Sequence, residues 1–158
     1  MIKEQTIMTE GQREALAHRF HTTFSSVVAG SEVLPLNPPA TDEILAAEFV
    51  AHVNGQELQG VEAWRLTANA YQVALPNARL THHEVVVAGD RVVIRYSGEA
   101  TQTGPLGDIP PSGKPVHWEG LDLFHLLDGK IIEAWVEIDM LSFMQQIGAI
   151  PSAEQPTA

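Results

Sequence analysis

The sequence predicts an α+β fold in which helices cover one face of an antiparallel sheet. Apolar residues recur at helical spacing through the first half of the chain, and after Pro76 their period falls to about two residues. Two short turns and a long loop at 104–115, rather than helices, join the segments that follow Pro76. This order is typical of an α+β protein, because a parallel sheet requires strands and helices that alternate.

Length and composition predict one globular domain. The chain has 158 residues, of which 44% are apolar and 18% are charged. We expect a single domain over residues 1–158, with its core at about 9–148 and a frayed tail at 149–158.

The charge and the residue types exclude several partners and chemistries. A net charge of −11 repels phosphate groups, so we expect no nucleic-acid partner and no binding to anionic membrane surfaces. The chain has no cysteine, which rules out disulfides and thiolate chemistry. No apolar run approaches the length of a membrane span, and the first residues lack the apolar part of a signal peptide. We therefore expect a cytoplasmic protein.

Three helices are predicted in the first half of the chain. Thr9 and Gln12 form a capping box at the start of the first helix, which we expect to end at Gly30. The second helix begins at Thr41, and residues 53–59 are expected to form a loop before the third. The apolar stripes of the three helices are Leu16, Phe20, Phe24, Val27 and Val28; Ile44, Leu45 and Phe49; and Val61, Trp64, Ala68, Tyr71 and Leu75.

Four strands are predicted after the helices, because apolar and polar residues alternate there. Turns that contain glycine join the first strand to the second and the third strand to the fourth. Asp139 then caps a last short helix that ends at Gly148. The predicted strands cover 78–88, 91–103, 116–127 and 131–138, and their turns lie at Gly89-Asp90 and Asp128-Gly129-Lys130.

Six short phrases carry a resemblance to a known family. They are FVAH at 49–52, GVEAW at 60–64, GDIPPSGK at 107–114, DGKIIEAW at 128–135, DML at 139–141 and QQIG at 145–148. In their order and spacing they resemble the SnoaL-like polyketide cyclases, over roughly residues 10–150.

The resemblance implies the cone-shaped fold of the nuclear-transport-factor-2-like superfamily. In that fold a curved antiparallel sheet wraps around N-terminal helices and leaves an internal apolar cavity. The resemblance also implies an enzyme without a cofactor, often a homodimer, that closes a polyketide ring by an aldol step with an Asp and a His. The position of the family's His corresponds here to Asp122, and that of its Asp corresponds to Val136, next to Glu137.

Asp122 is the first candidate for acid/base chemistry. Alternation places it on one face of the strand 116–127, together with Trp118 and Phe124. A carboxyl group among such side chains loses hydration, which raises its pKa toward the range useful for proton transfer. The alternative is an aspartate held by a backbone amide or a serine. We expect Asp122 to lie in the cavity within reach of His52.

His52 and Glu137 are the other catalytic candidates. His52 follows the second helix at the mouth of the implied cavity, and imidazole is a common acid/base partner of a carboxylate. The alternative for His52 is a polar loop residue near a helix end. Glu137 is a second carboxylate, although alternation points it outward together with Trp135.

The cavity wall is expected to be apolar. Trp64 and Tyr71 share the buried stripe of the third helix, where they serve either the core or a ligand wall. Trp118, Phe124 and Val136 belong to the inward faces of their strands. These five residues are the predicted substrate-binding residues.

The spacing of the histidines argues against a metal site. His82 and His83 are adjacent on a strand, so their side chains point to opposite faces. His18 and His21 lie three residues apart on a helix, but no carboxylate ligand accompanies them in a known pattern. We interpret these two residues as part of an exposed face.

Two functions remain open. The first is a cofactor-free enzyme that applies acid/base chemistry to an apolar cyclic or polyketide-like small molecule, by cyclisation, hydrolysis, isomerisation or hydroxylation. The second is a non-catalytic module that holds a small ligand in the same cavity. We also expect a homodimer, because Leu and Trp side chains lie on the outward face of the sheet. That face consists of His117, Glu119, Leu121, Leu123, Trp135 and Glu137.

Overall fold

A computed structural model describes residues 7–23, 27–29 and 41–152. Helices and strands follow one another along these parts of the chain. The helices are α1 (Glu10–His21), α2 (Thr41–Ile44), α3 (Gly60–Ala74) and α4 (Met140–Gln146). The strands are β1 (Val27–Ala29), β2 (Leu45–Val53), β3 (Gln56–Gln59), β4 (Arg79–Ala88), β5 (Arg91–Thr101), β6 (Pro115–Leu127) and β7 (Lys130–Ile138).

The strands form one sheet in the order β1-β4-β5-β6-β7-β2-β3. Strands β4 to β7 pair antiparallel, as predicted. The turn between β6 and β7 has a positive φ at Asp128 (50°) and at Gly129 (78°), which is the backbone of a two-residue hairpin turn. The predicted α+β class is therefore confirmed. Two parallel pairings, of β1 with β4 and of β2 with β7, extend the predicted sheet.

Helices α1 and α3 pack on one face of the sheet, where Phe20 joins them. The ring of Phe20 lies 4.9 Å from that of Phe124 on β6 and 6.2 Å from that of Phe49 on β2. It also stacks on Trp64 of α3 at 4.6 Å. Because β2 and β6 are separated by β7, contacts of one ring with both show that the sheet curves around the helices.

The first helix is shorter than its apolar stripe predicts. The capping box of Thr9 and Gln12 is present, but α1 ends at His21. Val27 and Val28 belong to β1 instead, which pairs with β4. The other predicted features of this region, Phe24 in the apolar stripe and the helix end at Gly30, lie outside the described residues.

The second predicted helix and the loop after it form mostly strand. The helix covers only Thr41–Ile44, and β2 follows directly. Phe49 and Ala51 are buried two residues apart, which is the period of a strand. The turn at Asn54-Gly55 then reverses the chain into β3, in the segment expected to be a loop.

The other predicted elements are confirmed. Helix α3 occupies the predicted position, and the Asp139 carboxylate caps α4 by accepting a hydrogen bond from the Ser142 N–H at 3.0 Å. On β6 the predicted alternation holds, with Trp118, Asp122 and Phe124 all buried. Within the described residues, no helix is both long and apolar enough to cross a membrane.

Candidate active site

Asp122 lies on the inward face of β6, and none of its surface is exposed. Burial raises the pKa of its carboxyl group well above the usual 3.8. Hydrogen bonds from the backbone N–H of Glu137, 3.3 Å from Oδ1, and from the hydroxyl of Tyr96 offset part of this increase in the pKa. A carboxyl group with a raised pKa holds a proton closer to neutral pH, as acid/base chemistry requires.

His21, at the end of α1, is the partner of this carboxyl group. Its Nε2 lies 2.8 Å from Asp122 Oδ2, and neither side chain is exposed. Burial, and to a smaller extent the neighbouring His18, lowers the pKa of His21 to about 3. The imidazole is therefore neutral at neutral pH, so one of its nitrogens donates a hydrogen bond and the other accepts one.

Two more histidines continue from His21 to the protein surface. His82 of β4 places its Nε2 2.5 Å from His21 Nδ1, and its Nδ1 contacts His18 Nδ1. His18 Nε2 lies 3.3 Å from Oε1 of Glu14, whose side chain is 47% exposed. Burial and the neighbouring histidines lower the pKa of His82 to about 3. We call His18, His82 and His21 the histidine row.

The histidine row is a hydrogen-bonded chain rather than a metal centre. His82 uses opposite ring nitrogens for its two neighbours, so the three rings do not surround a common point. Over the residues that the structure describes, no group of three or more His, Asp or Glu side chains is arranged to hold a metal ion.

Tyr96 on β5 connects Asp122 to a cavity. Its ring packs against Gly120, where an added Cβ would collide with it, and lies 4.4 Å from the ring of His21. Burial, together with the charge of Asp122 and the hydrogen bond to it, raises the pKa of Tyr96 well above 10. The phenol therefore keeps its proton at neutral pH. Because Tyr96 also lines the cavity, its side chain separates Asp122 from the cavity space.

The cavity lies between α3, α4 and the sheet. It contains about 590 Å³ of space free of protein atoms, part of it continuous with solvent. The aromatic part of its wall consists of Trp64, Tyr71, Tyr96, Trp118 and Phe143.

Most of the predicted substrate-binding residues line this cavity. They are Trp64, Tyr71, Trp118 and Val136. Phe124 is not in the wall, because at this point β6 faces α1 and the Phe124 side chain packs against Phe20. Phe124 therefore lies inward, as predicted, but outside the wall of this cavity.

The predicted pair of His52 and Asp122 is absent. His52 Nε2 lies 2.9 Å from Glu133 Oε2, and the imidazole stacks on Trp135 with ring centroids 5.0 Å apart. Residue 52 belongs to a strand rather than to the end of a helix, so alternation turns it away from the interior. Glu137 also points outward, as alternation predicts, and only its backbone N–H reaches Asp122.

The partners of Asp122 were not among the predicted site residues. The interpretation of His18 and His21 as an exposed face is wrong, because they are 5% and 0% exposed. One local signal was present: His21 follows Ala17 by four residues, and both lie on the buried side of α1. Tyr96 could have been found from its alternation with Ile94 on β5.

Comparison with known proteins supports the fold and the family. The sequence pattern of the SnoaL-like polyketide cyclases matches residues 33–147. No curated protein matches the sequence. Among solved structures, the chain is similar to AclR, a proposed hydroxylase from Streptomyces galilaeus, with 20% identity, 93% of this chain and 87% of that chain covered, and a TM-score of 0.75.

Two further structures have the same architecture. One is a proposed SnoaL-like polyketide cyclase from Jannaschia sp. CCS1, with 24% identity, 92% of this chain and 100% of that chain covered, and a TM-score of 0.74. The other is an NTF2-like protein of unknown function from Exiguobacterium sp. 255-15. It has 21% identity, 79% of this chain and 98% of that chain are covered, and the TM-score is 0.59. These similarities confirm the cone-like fold. Since the family pattern covers most of the sequence, the chain belongs to the SnoaL-like polyketide cyclase family.

Proposed function

We propose that the protein is a cofactor-free enzyme that transfers a proton to or from an apolar, polyketide-like small molecule held in the cavity. The observation that carries this proposal is the position of Tyr96 in the cavity wall, with Asp122 and His21 directly behind it. Cyclisation, isomerisation and hydrolysis all include a proton transfer and need no external oxidant, and the family supports cyclisation first.

The burial of these polar groups supports a functional role. Asp122 and His21 have no exposed surface, and the His21 ring lies beside Phe20 and Phe124. Removing a carboxyl group and an imidazole from water costs folding free energy, even when they are paired. Titratable groups with strongly shifted pKa values are concentrated at functional sites, where their chemistry compensates for that cost.

Each group has a distinct part in the proposed transfer. The Tyr96 hydroxyl meets the substrate, because it belongs to the cavity wall and keeps its proton. Its O–H donates to a substrate carbonyl oxygen as negative charge develops there. Because Tyr96 separates Asp122 from the cavity, the proton passes through the phenol: Tyr96 gives its proton to the substrate oxygen as the protonated Asp122 carboxyl group replaces it, and the reverse step returns the proton to Asp122. Solvent water takes or returns the proton on the substrate carbon, and His21 holds the carboxyl group from the other side. The transfer moves no electrons to or from the substrate, so it requires no redox cofactor.

The test is proton exchange at the carbon next to a carbonyl group. Cyclic ketones and aromatic polyketide fragments are incubated with the protein in D₂O, and deuterium uptake is followed by NMR. We expect the native protein to accelerate this exchange. Asp122→Asn should lower the rate by roughly 10²–10⁴, because a nearly isosteric amide does not release a proton. Binding, measured by the thermal shift that the ketone produces, should be retained.

Glu133→Gln is the matched control, since it removes a carboxylate from the outer face of the sheet. It should exchange protons at the native rate. If Asp122→Asn also exchanged at the native rate while binding the ketone, the acid/base proposal would be wrong. The cavity would then hold a ligand without catalysis, which is the alternative function.

A further inference from the structure

The histidine row leads from Asp122 to solvent on the side of the carboxyl group opposite Tyr96. It begins at Asp122 Oδ2, 2.8 Å from His21, and ends at Glu14 on the exposed surface of α1, 3.3 Å from His18. Among the residues described, the three histidines are not part of the cavity wall. A substrate that fills the cavity therefore leaves this second route to the carboxyl group open.

Each imidazole of the row uses both of its ring nitrogens. His21 contacts Asp122 through Nε2 and His82 through Nδ1. His82 contacts His21 through Nε2 and His18 through Nδ1, and His18 contacts Glu14 through Nε2. A neutral ring has one donor nitrogen and one acceptor nitrogen, so the rings form an unbroken chain only when all of them donate in the same direction.

We propose that the histidine row is a proton path through which Asp122 exchanges its proton with solvent while substrate closes the cavity. The purpose of this path rests on the proposed acid/base role of Asp122. The existence of the path does not rest on that role, because proton movement along it can be observed without a substrate.

One proton moves along the path between Asp122 and Glu14 or water. All three imidazole rings carry one proton each, and so no charge, before and after this transfer. When Asp122 is protonated, its O–H donates to His21 Nε2, and the N–H groups of His21 and His82 are on Nδ1, while that of His18 is on Nε2. When a proton leaves to Glu14 or water, each ring passes on one proton and receives one. Asp122 is then ionised, and the N–H groups are on Nε2 of His21 and His82 and on Nδ1 of His18.

A proton that moves along the path changes the tautomers of all three histidines together. Hydrogen bonds whose protons stay in place do not require such a change. The test is ¹⁵N NMR of the imidazole rings in the native protein, together with ¹³C NMR of the aspartate carboxyl groups. Asp122→Asn identifies the Asp122 resonance. Across the titration of Asp122, we expect His18, His82 and His21 to exchange their protonated and unprotonated nitrogens in step.

His83 is the internal control, because it lies on the opposite face of β4 and pairs with the Ser97 hydroxyl. Its tautomer should not follow Asp122. Tautomers of the row that stay fixed throughout the pH range in which the protein is folded would overturn the proposal. That result would leave the deuterium-exchange test of Asp122 unaffected, so the two proposals fail separately.

A kinetic measurement tests the same path with variants. In Tyr96→Phe, which removes the hydroxyl between Asp122 and the cavity, a pH jump is followed through the infrared band of the protonated carboxyl group. Adding His82→Gln should slow the response by about 10²-fold or more, because the proton then waits for local opening of the core. Adding His83→Gln should leave the rate unchanged. Equal rates in the two double variants would overturn the path.

Discussion

At the scale of single residues, two glycines determine where aromatic rings lie in the site. Gly120 pairs with Tyr96 across β5 and β6, and a Cβ at residue 120 would collide with the Tyr96 ring. Gly98 pairs with Trp118 in the same two strands, and a Cβ there would collide with the indole. Both rings line the cavity, so its shape depends on the absence of these two side chains.

Gly120→Ala is therefore expected to lower the free energy of unfolding by about 1–3 kcal/mol, because the methyl group displaces a closely packed ring. Urea denaturation measures this change. Deuterium exchange of bound ketones should also slow, since Tyr96 moves relative to Asp122. Gly11→Ala is the control, because nothing lies within 4 Å of an added Cβ there. A Gly120→Ala protein as stable as the native one would show that Tyr96 is not held in this way.

Asp122 and Tyr96 could be identified from the alternation along their strands, whereas the pairing of Asp122 with His21 could not. The alternation along β6 is regular, and Asp122 is the one charged side chain among its inward residues. His21 is separated from Asp122 by 101 residues. Their contact depends on how α1 docks against the sheet, and local periodicity does not encode docking. The spacing of His21 from Ala17 indicates the buried side of α1, but it does not indicate which strand residue His21 meets there.

At the scale of elements, β2 shows how pairing determines the type of a segment. Ile44, Leu45 and Phe49 fit one side of a helix, but only Ile44 is helical in the structure. β2 pairs with β7 on one side and with β3 on the other, which satisfies its backbone on both edges. Strand propensity depends strongly on such neighbours, so the weak helical pattern is overridden. The Asn54-Gly55 turn was the local signal of this hairpin.

The docking of α1 should depend on pH, because it buries a neutral histidine. His21 has a pKa of about 3 in the folded protein, against 6.5 for the unperturbed group. Between these values the unfolded chain binds a proton that the folded protein does not bind. Protonation then favours the unfolded state, so the contribution of His21 to stability is complete above about pH 6.5 and is lost as the pH falls toward 3.

His21→Gln isolates this effect. From about pH 8 to pH 5, the native protein should lose about 2 kcal/mol more unfolding free energy than His21→Gln, which is the linkage expected when only the unfolded histidine is protonated. Urea denaturation at the two pH values measures the difference. His83→Gln, at an exposed position, is the control for the substitution itself. Parallel pH profiles of the native protein and His21→Gln would contradict the neutral, buried state of His21.

At the scale of the whole molecule, the outer face of the sheet carries a row of apolar side chains across neighbouring strands. In register, Val86 pairs with Val93, Val93 with Leu123, and Leu123 with Trp135. At the end of this apolar row on the outer face, His52 stacks on Trp135. Leu121, beside the row, is 55% exposed. An apolar patch of this extent is typical of an interface, and the predicted homodimer would cover it.

Leu123→Glu tests that homodimer, because it places a carboxylate in the middle of the row in both copies. We expect the native protein to sediment at twice its chain mass of 17.2 kDa and Leu123→Glu to sediment as a monomer. Leu66→Glu is the matched control, since Leu66 is 66% exposed on α3, away from the sheet face, and this variant should stay dimeric. Each copy carries a net charge of −11, so added salt should strengthen the native dimer by screening their repulsion. A native protein that sediments as a monomer at high micromolar concentration and high salt would show that this face binds no second copy.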